Sequence, residues 1–68
     1  MTMVYVLKIR RSGAEDDVFL FDDIHKVSKV VFDYFDMPER SKMGLDGFQN
    51  WLFQQDIGYF DVWREIVR

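Results

Sequence analysis

Residues 22–36, DDIHKVSKVVFDYFD, constrain the rest of the chain more than any other stretch. Wound as a helix, they bring Ile24, Val27, Val30, Val31, Tyr34 and Phe35 into one broad apolar stripe. His25, Lys26, Lys29, Asp33 and Asp36 fall opposite, so the helix must lie on an apolar bed supplied by the rest of the chain. Asp22 or Asp23 is placed to cap it, accepting the first free amide hydrogens at the positive end of the helix dipole. Phe32 breaks the pattern, because helical geometry sets it beside His25 and Lys29 on the charged side.

The bed must be made from little material. With 68 residues the chain reads as one domain, residues 1–68, and a domain of this size buries only about 60% of its unfolded surface. The usual reinforcements are disulfides, a metal or self-association. Cysteine is absent, and a single histidine leaves a structural zinc site without its usual ligands. What remains is a dense aromatic core drawn from seven Phe, three Tyr and two Trp, self-association, or both.

The bed itself reads as strand. In residues 3–11, Met3, Tyr5, Leu7 and Ile9 share one face while Val4, Val6, Lys8 and Arg10 share the other. Residues 12–16 form a turn around Gly13, and residues 18–21 return as the second strand of a hairpin. The register that matches charge and apolar character pairs Arg11 with Asp17, Ile9 with Phe19 and Leu7 with Phe21. Residues 37–44 read as a loop opened by Pro38. Asp46 and Gln49 have capping-box spacing for a second helix ending near Gln55, with Phe48, Trp51 and Leu52 inward, Phe53 outward and Gly58 as terminator. Residues 59–68 fit either a strand or a helix, and their aromatic and β-branched residues after a glycine favour strand. The predicted fold is α+β, ordered β-β-α-α-β: a small antiparallel three-stranded sheet with two helices on one face.

Chemistry finds little support. The phosphate-loop, dinucleotide, zincin and nucleophile-elbow signatures are missing. Asp22, Asp23 and His25 read more simply as a cap and an exposed helix residue than as metal ligands. The expectation is therefore a non-enzymatic chain with no catalytic residue, cofactor or metal. No apolar run approaches the roughly 20 residues of a membrane span, and the N-terminus lacks the basic segment of a signal peptide. With no cysteine, this predicts a cytoplasmic protein.

Three surfaces are candidates for binding. Val4, Val6, Lys8, Arg10, Val18 and Leu20 share the sheet face that the helices leave uncovered, joined by Trp63 if the tail is a strand. That face suits a protein partner or a second copy, and a nucleic-acid strand as the less favoured alternative, given the net charge of −3. Glu15, Asp16 and Asp17 form an acidic hairpin end, either a phosphate-like surface or a solvated turn. Phe32 and Phe53 are off-face aromatics, either anchors for a partner or side chains over which the 37–45 loop or the tail folds. In general type the chain resembles phage-encoded proteins that bind and block host machinery, anti-defence inhibitors among them. That resemblance covers no motif, and it implies a protein-binding module acting by steric obstruction.

Overall fold

A computed structural model describes residues 2–67. Met1 and Arg68, the outer limits of the N-terminal and tail readings, lie outside the described residues. The chain runs through β1 (Thr2–Arg11), β2 (Asp17–Phe21), α1 (Ile24–Tyr34), a 3-10 segment (Pro38–Met43), α2 (Gly44–Gln55) and β3 (Gly58–Val67). The three strands form one antiparallel sheet in the order β2-β1-β3, and the tail is its edge strand. The fold is the α+β arrangement that the alternation of β1 and the stripe of α1 require.

One core holds it together. Leu7 and Ile9 of β1 and Phe60 of β3 meet Val27, Val31, Phe32 and Phe35 of the α1 region and Phe48 and Leu52 of α2. Phe48 is central, with its ring 4.5 Å from that of Phe32, 5.9 Å from Phe35 and 6.4 Å from Phe60. Trp51, expected to be buried, is only half-buried. It stacks on Phe48 and takes the Arg40 guanidinium 3.8 Å above its ring on the solvent side. Ile24, in the first turn of α1, is likewise exposed at the end of its stripe.

The hairpin register differs from the expected one by two residues. Leu7 faces Phe19, Tyr5 faces Phe21 and Ile9 faces Asp17. The turn closes early, with the Ala14 amide donating to the Arg11 carbonyl at 3.0 Å and Gly13 at φ 81°. Arg11 is drawn away from Asp17: its guanidinium donates to the Tyr34 carbonyl at the C-terminus of α1 and lies over the Tyr34 ring. Asp17 instead accepts from the Tyr34 hydroxyl at 3.0 Å. A shift of two preserves which residues share a face, so the two faces keep the members assigned from alternation.

The helix ends match expectation in part: α1 is capped as predicted and α2 ends at Gln55. Asp23 caps α1, accepting from the His25 amide at 2.9 Å, while Asp22 pairs with Lys26 at 2.8 Å. That contact holds the Asp22 carboxyl below and the Lys26 ammonium above their ordinary ranges, through the hydrogen bond first and charge second. The capping box at Asp46 does not form. The 3-10 segment passes directly into α2 at Gly44, and Gln49 instead donates to the Phe60 carbonyl of β3 at 2.6 Å. Each helix closes with an aspartate in the left-handed region, Asp36 at φ 56° and Asp56 at φ 54°. The next amide returns to the carbonyl five residues back, Met37 to Phe32 and Ile57 to Leu52. Gly58 is not the terminator. It begins β3, and a Cβ there would stand 2.6 Å from the Arg10 carbonyl oxygen and closer still to the Phe35 ring.

Candidate functional site

Alternation along β1 sends Leu7 and Ile9 to the helices and Val4, Val6, Lys8 and Arg10 to the other side of the sheet. Cross-strand partners share a face, so the pairing defines this open face row by row. Leu20, Val6 and Trp63 form one row, and Val18, Lys8 and Asp61 the next. Arg10 with Tyr59, Val4 with Glu65 and Thr2 with Val67 complete it. Val18 is 60% exposed and Leu20 66%, with Trp63, Tyr59 and Val67 also exposed.

Val6 departs from expectation. It is 5% exposed although no helix covers it. Its row neighbours Leu20 and Trp63 stand on either side, so Val6 forms the floor of the face rather than a contact. A charge placed there would be buried in the isolated chain, so Leu20 is the cleaner position at which to test the surface.

The two cations of the face are already engaged. The Lys8 ammonium lies 3.4 Å and the Arg10 guanidinium 3.7 Å from the Asp16 carboxylate. Arg10 also stands 5.9 Å over the Tyr59 ring, and the Trp63 indole N–H donates to Glu65 at 2.8 Å. An apolar row of Leu20, Val6 and Trp63 therefore lies beside a row in which Val18 is joined by Lys8 and Asp61.

The other candidates separate. Phe32 is 2% exposed and packs on Phe48, so it belongs to the core, where it borders a groove also lined by Pro38 and Ser41 of the 3-10 segment. Phe53 is 81% exposed and borders an open groove of about 420 Å³ that it shares with Arg10, Gly13, Asp56 and Tyr59. The acidic trio is split: Asp16 faces the two cations of the open face, Asp17 holds Tyr34, and Glu15 is exposed. Burial, and after it the Asp17 hydrogen bond, raise the Tyr34 hydroxyl above its ordinary value. Tyr59, Asp61, Glu65 and Val67 complete the open face without having been named from sequence, and alternation outward from Trp63 is the signal that finds them.

Among the described residues no group of three or more His, Cys, Asp or Glu is placed to hold a metal ion, and no helix is long and apolar enough to cross a membrane. Comparisons with protein-family models, curated proteins and solved structures find no match.

Proposed function

We propose that this chain is a non-enzymatic, cytoplasmic protein-binding module whose contact surface is the open sheet face. In this reading binding alone is the effect, in the manner of phage-encoded proteins that obstruct a host protein sterically. The observation that carries it is the exposure of Val18 and Leu20 beside Trp63, which no element among the described residues covers. Contiguous apolar surface of this kind on a small protein marks a contact with another chain. The pairing of Lys8 and Arg10 with Asp16 weighs against a nucleic-acid partner, since both cations already face a carboxylate rather than standing free for phosphates. Leu20→Asp puts a charge on the exposed part of the face without entering the core. It is expected to abolish capture of a protein partner that Phe53→Ala leaves untouched, as measured by parallel affinity capture of the two variants. Equal capture by the parent and Leu20→Asp would remove the sheet face from the reading.

A further inference from the structure

Antiparallel pairing turns the main-chain groups of successive residues alternately towards and away from the neighbouring strand. The Ser12 amide donates to the Ile57 carbonyl at 2.9 Å, one step beyond the pairing of Arg11 with Gly58. Counted by twos from there, Tyr59, Asp61, Trp63, Glu65 and Val67 turn their N–H and C=O groups to β1. Phe60, Val62, Arg64 and Ile66 turn theirs away from the sheet, and β3 is an edge strand, so no further strand meets them. Gln49 of α2 closes the first position, donating to the Phe60 carbonyl at 2.6 Å. Among the described residues, no hydrogen bond reaches the main-chain groups of Val62, Arg64 and Ile66.

We infer that this edge is the docking site for an extended segment of another protein, which adds to β3 as a fourth, antiparallel strand. Added strands are held by main-chain hydrogen bonds and selected by the side chains that alternate beside them. On the helix side of the sheet the selecting side chains are those of Val62, Arg64 and Ile66. Arg64 is exposed and makes no ion pair among the described residues. A groove of about 290 Å³ beside it is lined by Met3, Glu65 and Ile66. The segment that fits carries an acidic side chain opposite Arg64 and apolar side chains opposite Val62 and Ile66. The register runs unbroken from Thr2–Val67 to Arg11–Gly58, so no bulge turns this edge aside. The other edge offers less, because only Val18 and Leu20 turn outward in the five residues of β2.

A second copy does not fit the same edge. Two β3 strands related by a two-fold axis through Trp63, Arg64 or Glu65 would set Asp61 on Glu65, Arg64 on Arg64 or Glu65 on Glu65 respectively. Like charges directly opposite one another destabilise a strand pair, so β3 resists its own kind and admits a complementary strand. The added strand lies beside the sheet and leaves the open face free, so the inference goes beyond the open-face reading and does not rest on it.

The probe is a terminally blocked synthetic peptide with glutamate at its centre and valine two residues to either side. Amide hydrogen exchange of the full chain, read by NMR, reports where it binds. In the free chain the amides of Val62, Arg64 and Ile66 are expected to exchange quickly, and those of Asp61, Trp63 and Glu65 slowly. Millimolar peptide is expected to slow the first set about threefold or more. N-methylation of the peptide at its glutamate and both valines removes the donors that face β3 and is expected to abolish the slowing. N-methylation of the residues between them leaves it. Arg64→Glu is expected to lose this peptide and to bind the same peptide with lysine at its centre. Arg64→Pro removes an outward N–H that the fold does not use and is expected to bind neither. No slowing, or equal slowing by the two methylated peptides, overturns the inference. So does protection of Val62, Arg64 and Ile66 before any peptide is added, which at a doubled chain mass would assign the edge to a second copy. Capture through Leu20 is read separately, so the open-face reading stands or falls by its own test.

Discussion

Two phenylalanines set on the polar sides of their helices by the same arithmetic meet opposite fates, and the difference lies in what packs against them. Phe32 lies against Phe48 in the core, while Phe53 stands 81% exposed. Phe32→Ala is therefore expected to destabilise the fold by about 3–5 kcal/mol, enough to unfold a marginal domain, while Phe53→Ala stays within about 0.5 kcal/mol. Urea melts of the two variants separate these outcomes. Gly58 carries a second residue-level expectation. The Arg10 carbonyl cannot withdraw without breaking the sheet, so Gly58→Ala is expected to cost about 1–3 kcal/mol, read by the same melts. Equal stability of Gly58→Ala and the parent would show that β3 does not approach β1 and Phe35 so closely. Neither effect was legible from spacing. Periodicity assigns a side chain to a face of its own element and says nothing of a segment arriving from elsewhere.

Elements were legible where one face had to be buried and obscure where ends had to be satisfied. The alternation of β1 and the stripe of α1 each allow only one orientation against a core, whereas the tail fits a strand or a helix by pattern and only its residue types favour the strand that forms. The hairpin register was not legible, because both registers keep the same residues on the same faces. What decides between them is a competition for Arg11 and Asp17 by Tyr34, a residue of another element. The Asp23 cap and the end of α2 at Gln55 were legible, but the residues that close the helices were not, because aspartate occupies the left-handed positions where glycine ordinarily signals a stop. Much of the candidate face was legible for the reason the strands were, though not the burial of Val6, which depends on how far Leu20 and Trp63 reach over it. The clasp between β2 and α1 has its own pH signature. The Tyr34 proton is held more tightly in the folded chain than in the unfolded one, through burial and then Asp17. The stability it contributes is complete below pH 10.0 and is lost as pH rises past that point through the elevated folded value. Above about pH 10, the parent's melting temperature is therefore expected to fall more steeply than that of Tyr34→Phe. Parallel slopes would mean that Asp17 and Tyr34 do not meet in solution.

At the scale of the whole molecule, a single core must hold 68 residues without a disulfide, and the second sheet face adds nothing to that core while it stands uncovered. A partner bound to that face would add its burial to the stability of the chain. The strand order has a further bearing on how the chain comes to be folded at all. β1, the first of the three strands to be made, is the middle of the sheet, and one of its two flanks is β3, the last of the three, with Thr2 paired to Val67. On the ribosome the helices emerge before Phe60 is available to close over them. The nascent chain therefore carries its exposed aromatics until β3 has emerged, and the folding of these elements is a single event that waits for that strand.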